Sequence, residues 1–227
     1  MRKNLLILLC FFASTCASAL SLSQLSEKDA VAGLKAALNK GTDSAIGKLG
    51  RTDGFLGNPQ VKIPLPDSLQ RADRMLSRFG MGKYTQDLQV RMNRAAELAV
   101  PEARTLLVKA IKDMSVKDAK NILTGGDTAA TDYFRSKTST ELAARFLPIV
   151  TDATRKVALA QKYDELAGKA SGLGLVNKDQ ANLEQYVTQK ALDGLFLMMG
   201  EEEKAIRADP VGQTSKIISK VFGSLLK

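Results

Sequence analysis

The chain has 227 residues, with 33 lysines and arginines against 24 aspartates and glutamates, a formal charge of +9, no histidine and two cysteines. Without histidine there is no imidazole base, no ordinary zinc ligand and no histidine-containing triad. Diffuse positive charge of this size serves solubility first, with anionic lipid or a polyanion as the special case.

Residues 1–19 read as a cleaved secretory signal. Arg2 and Lys3 give the positive start, residues 5–13 an apolar run broken only by Cys10, and Ala17-Ser18-Ala19 a small-residue cleavage site. The run is too short to serve as a permanent transmembrane anchor. Cleavage after Ala19 is the preferred reading; lipidation at Cys16 is the lesser one, because Ala13-Ser14-Thr15 makes a poor lipoprotein signal. Removal takes both cysteines and two basic residues, so residues 20–227 keep all 24 acids and carry +7. Such a chain has no thiol for catalysis, disulfides or iron–sulfur ligation, and its core alone must hold it together.

In chain order, residues 20–25 are a loose lead-in, and Ser26 with Asp29 resembles a capping box. Val31, Leu34, Ala37 and Leu38 follow at helical spacing, with a pause at Gly41 and a further turn carrying Ile46 and Leu49. Residues 50–66 are the one non-helical stretch, punctuated by three glycines and three prolines. Val61 and Ile63 alternate with Lys62 and Pro64, so this is an extended, edge-like strand or an ordered loop over the helices. Phe55 and Leu56 are expected to plug the core from it; the functional alternative is a flap over a ligand cleft.

A helix over 67–79 puts Arg71, Arg74 and Arg78 on one stripe, and a glycine turn at 80–82 leads into a helix with Leu88, Met92, Ala95 and Ala99 inside. Pro101 restarts or kinks it, and Leu106, Leu107, Ala110 and Ile111 continue the core face. Ser115 and Asp118 form a second capping box opening a short helix that ends at Gly125-Gly126. Residues 127–135 start another helix that buries Tyr133 and Phe134. From Ser139 a long pattern runs through Leu142, Phe146, Ile149, Val157 and Leu166, kinked at Pro148 and ended by the glycines at 172 and 174. Asn177 and Gln180 cap the approach to residues 182–207, the long amphipathic helix on which the rest packs. Val187, Ala191, Leu195, Met198, Ala205 and Ile206 share its apolar side. Tyr186, Gln189, Lys190, Asp193, Glu201, Lys204 and Arg207 lie opposite. Asp209-Pro210 opens a last helix with Ile217, Ile218, Val221, Phe222 and Leu225 inside and lysines along its edge.

Glu202 stands on the apolar side of the 182–207 helix, where burial would raise its pKa and suit it to general acid work. A satisfied ion pair is the structural alternative. Asp193 and Tyr133 are its candidate catalytic companions, and Tyr186 with Lys190 and Asp193 a candidate polar site. Glu203 and Arg207 form an ordinary i,i+4 pair. The run Glu201-Glu202-Glu203 lacks the alternating oxygens of a calcium loop, so no metal is expected, and no cofactor. Thr124-Gly125-Gly126-Asp127 offers amides to an anion at a helix start but lacks a phosphate loop's lysine and hydroxyl. Ser224 and Lys227 have the spacing of a serine–lysine pair without its companion motifs. The basic stretch 71–94 suits an anionic head group; nucleic acid is disfavoured by export and few aromatics.

Residues 47–70 (GKLGRTDGFLGNPQVKIPLPDSLQ) with FGMGKY, MNRAAELAVPEA, ILTGGDTAATDYFR, AQKYDELAGKA and TQKALDGLFLMMGEEEKAIRADPVG resemble the exported bacterial family called domain of unknown function 4197. The resemblance covers essentially the whole mature chain. It implies a single exported, mostly helical domain and transfers no activity or catalytic residues.

The expectation is therefore an all-α, single multi-helix domain over 20–227 with one extended excursion at about 50–66. It is a periplasmic or envelope protein leaning away from catalysis, a binding module for a small amphiphile, an anionic lipid surface or an envelope protein. Phe55, Tyr186, Lys190, Arg71, Arg74 and Arg78 are the candidate ligand contacts. A carboxylate-based hydrolase or lyase and an assembly factor are the alternatives.

Overall fold

Amphipathic helices of this kind are marginal alone and must hide their apolar stripes against one another; the structure, a computed structural model, is built that way. It describes residues 27–78, 82–154, 182–209 and 221–222. Among these, seven α-helices follow in order: α1 Glu27–Leu49, α2 Asp67–Arg78, α3 Lys83–Ala99, α4 Ala103–Asp113, α5 Val116–Leu123, α6 Ala129–Thr154 and α7 Leu183–Ala208. A 3-10 turn, Val100–Glu102, joins α3 to α4 at Pro101, and the described residues contain no strand. The fold is all-α. The signal segment, the lead-in at 20–25, the turn at 79–81, the pattern from 155 through Asn177 and Gln180, and the last helix except Val221 and Phe222 lie outside the described residues.

Helix α7 lies against α6, α1 and α3 at once. Its buried arc is correspondingly wider than one stripe, taking in Tyr186, Thr188, Gly194 and Gly200 besides Val187, Ala191 and Leu195. The two-sided reading of this helix is corrected here: Tyr186, expected on the polar side, is buried, and Ala205, expected inside, is exposed. Asn182 starts the helix by accepting the Gln185 amide at 2.8 Å.

Two breaks expected from sequence do not occur. Helix α1 runs unbroken through Gly41, which is buried where α1 passes α7; a Cβ there would touch Glu202 Cβ at 3.7 Å. The expected pair of helices at 127–135 and from 139 is one helix, α6. The polar residues at the join return their hydroxyls to the preceding turn, Ser136 to Tyr133 O (2.8 Å), Thr138 to Phe134 O (2.7 Å) and Ser139 to Arg135 O (2.6 Å), so they do not interrupt it. The Ser115–Asp118 capping box forms as read, and Ser115's hydroxyl and amide hold the Asp118 carboxyl below its usual range.

Residues 50–66 form turns and an extended run without a strand partner. Their backbone groups go instead to side chains of α3. Asn93 accepts the Ile63 amide at 2.8 Å and donates to the Ile63 carbonyl at 3.0 Å, so one side-chain amide replaces a ladder rung. Glu97, 4% exposed, accepts the amides of Phe55 (3.0 Å) and Leu56 (3.1 Å) with one oxygen. Its other oxygen takes Arg94 at 2.6 Å, and Arg94 reaches on to Asp53 at 2.8 Å. Asp53 sits at φ 63, left-handed backbone that this ion pair helps to hold. Phe55 is fully buried, its ring against Gly194, where a Cβ would lie 2.6 Å from Cε1.

Gly54 closes the turn after α1, and a Cβ there would stand 2.2 Å from the Leu49 carbonyl oxygen. That neighbour is backbone and cannot swing away. Gly54→Ala is expected to cost about 3 kcal/mol, the upper part of the overpacking range, read as a fall of roughly 6–12 °C in the thermal midpoint.

Candidate functional site

The residues singled out from sequence are not drawn into one cleft. Glu202 sits at 17% side-chain exposure and is bound by Lys48 of α1 at 2.5 Å, a structural ion pair. Asp193 is half exposed, taking Gln189 at 3.0 Å and Arg135 at 3.7 Å. Tyr133 donates to the Ala110 carbonyl at 3.4 Å on the other side of α6, and burial, with Asp118 and Asp113 nearby, pushes its phenol up. The three therefore answer to separate partners.

Tyr186 gives its hydroxyl to the Pro64 carbonyl at 3.1 Å and carries Lys190 over its ring at 5.8 Å, so it anchors the 50–66 segment. Phe55 is spent in the core. Arg74 and Arg78 are exposed along α2, and Arg71 stands on the same helix, its side chain outside the described residues. The acidic run points three ways, Glu201 to Lys204, Glu202 to Lys48 and Glu203 to Arg207, as neighbours 100° apart on a helix must. No cluster of three or more carboxylates fit to hold a metal occurs among the described residues.

The 124–127 stretch is a turn between α5 and α6, and the first-turn amides of α6 beyond it are taken by the protein's own carboxylate. Glu203, buried on α7, accepts the first-turn amides of α6, Ala130 at 3.0 Å and Thr131 at 2.9 Å, and the Thr131 hydroxyl at 2.9 Å. Arg207 binds the same carboxylate at 2.8 Å and the Ile122 carbonyl of α5 at 2.8 Å, with Phe222 beside it. The Glu203–Arg207 pair, ordinary by spacing, thus ties α5, α6 and α7 together. The cavity beside it, between α1, α6 and α7, has about 30 Å³, room for water but not an organic ligand.

A larger space lies on the outside of α3. Here α3 and α6 leave a groove of about 700 Å³, within the range of ligand sites. Val90 and Leu98 on one wall face Pro148, Ile149 and Ala153 on the other, and Asp87, Arg91, Arg94 and Asp152 stand around them. Leu98 is 63% exposed and Val90 38%, and Tyr84, one turn before the groove, is 66% exposed. The described residues contain five exposed large hydrophobics, and three of them are these, all on α3. Burying a leucine is worth about 1.5–3 kcal/mol, so this outer face keeps apolar area in water. Arg94 is committed to Glu97 and Asp53, which hold its guanidinium firmly charged, whereas among the described residues Arg91 pairs with Asp87 alone, at 3.4 Å.

Sequence reasoning passed over this groove for a physical reason. At about 100° per residue Tyr84 falls close to Ala95 and Leu88 on the wheel, at the edge of the expected apolar side, and only the structure shows it exposed together with Leu98.

The family model described as protein of unknown function (DUF4197) matches residues 24–223, and the chain belongs to that family. No curated protein and no solved structure matches the chain. No helix among the described residues is long and apolar enough to cross a membrane.

Proposed function

We propose that this member of the DUF4197 family is an exported, non-enzymatic binding module, and that it engages its partner through the groove between α3 and α6. Export rests on the charged start, apolar run and small-residue cleavage site of residues 1–19. The binding role rests on one observation, the gathering of Tyr84, Val90 and Leu98 on the outer face of α3 beside an open, apolar-centred groove. The reading as a carboxylate-based enzyme needs Glu202 beside Asp193 or Tyr133, and each of these is engaged with a different partner.

A photo-crosslinking amino acid at position 98, with position 116 as control, tests this in living cells. Val116 is 54% exposed on α5, away from the groove. A discrete adduct at 98 and none at 116 is expected. Equal or absent labelling at both would overturn the assignment.

A further inference from the structure

We infer that the partner held at the outer face of α3 is a second copy of this chain, packed antiparallel across a two-fold axis near Arg91. This rests on the groove being the binding surface. The charges favour it. Around the groove two acids, Asp87 and Asp152, balance two arginines, and one arginine already holds Glu97 and Asp53. An anionic head group brought to Arg91 or Arg94 would meet four carboxylates around them, so the protein's overall positive charge is not focused here. A neutral face carrying both signs suits a copy of itself, because an isologous contact needs a self-complementary patch.

An antiparallel pairing can be laid out on α3. Tyr84 and Leu98 lie seven residues on either side of Arg91. Two α3 helices crossing antiparallel at Arg91 place Tyr84 against the partner's Leu98, and each Leu98 against the partner's Tyr84. Asp87 comes level with the partner's position 95 and so lies beside the partner's Arg94. The apolar contacts close both ends of the pairing, and at its centre the two Arg91 side chains meet, each beside its own Asp87.

The face is modest. The 17 residues of α3 are about 25 Å long, and one helix face with a groove wall is a narrow strip beside the roughly 800 Å² per partner of a standard interface. A reversible dimer with Kd in the micromolar range is therefore expected rather than an obligate one.

Sedimentation equilibrium of the purified protein from about 1 to 300 µM tests the inference. The wild type should pass from monomer to dimer, and Leu98→Glu should weaken association at least tenfold. Asp87→Arg should weaken it too, because it sets a like charge beside the partner's Arg94. Both positions are exposed, and an unchanged thermal midpoint in each variant shows that the fold is intact. A wild type monomeric throughout, or a dimer indifferent to Leu98→Glu, overturns the inference. If the monomeric protein still gives a crosslink at 98 to some other molecule, the binding-module reading stands and only self-association falls. If it gives none, both fall.

Discussion

Glu203→Ala is expected to lower stability by about 3–5 kcal/mol, the cost of removing one partner from a buried charge pair. The side chains of Glu203 and Arg207 are 7% and 13% exposed, and the carboxylate serves four donors on two helices. Without it, the Arg207 guanidinium is left nearly dry with only the Ile122 carbonyl, and the Ala130 and Thr131 amides lose their acceptor. Native stability is about 5–15 kcal/mol, so chemical denaturation should find the variant partly unfolded or close to it. Glu202→Ala, one position away, is the control. Its partner Lys48 is 54% exposed and can turn to water, so the loss is expected to stay at about 1 kcal/mol or less. If the two variants lose equally, the reading of Glu203 as the tie between α5, α6 and α7 is wrong.

Glu97→Ala is expected to cost about 2–4 kcal/mol by a different route, chiefly from the two amides left without an acceptor, since Arg94 is 35% exposed and keeps Asp53. Glu97 holds the Phe55 and Leu56 amides and neutralises Arg94, so its loss frees the start of the 50–66 segment while leaving that segment's Ile63 end on Asn93. Phe55, plugged against Gly194, depends on the same anchor. Hydrogen exchange should show the Phe55 and Leu56 amides opening first, with the α6 amides little changed. Glu97→Gln keeps the shape and one acceptor and should recover about half of the loss. Loss of protection spread evenly over the molecule would contradict the local account.

Most of the helices were legible because their spacing and punctuation agree. Leu88, Met92, Ala95 and Ala99 repeat at one period and are buried together, Ser115 caps α5 with Asp118 in return, and Pro101 marks the 3-10 break. What failed was neighbourhood. A helical wheel for α7 assumes one packed side, but α1, α3 and α6 surround much of it, so Tyr186 and Glu203 are inside while Glu202 reaches an exposed lysine. The alternation at Val61–Pro64 was visible, but its hydrogen-bond partner is a side-chain amide 30 residues along the chain. Nothing in the alternation says whether a strand or an asparagine will answer it. The same limit hid the groove: spacing sets Tyr84 beside the apolar side of α3, and only the structure shows it exposed with Leu98 where α6 runs alongside.

Helix α3 thus has two faces, Asn93 and Glu97 holding the 50–66 segment inside and Tyr84 with Leu98 exposed outside. Hydroxyl-radical footprinting tests that division most directly, comparing intact cells with dilute purified protein. Tyr84 and Leu98 should be protected in cells and labelled in dilute solution, while Val116 and Leu197, exposed away from the groove, label alike in both. Equal labelling of all four in both conditions would show that nothing covers the outer face of α3 and would contradict the account.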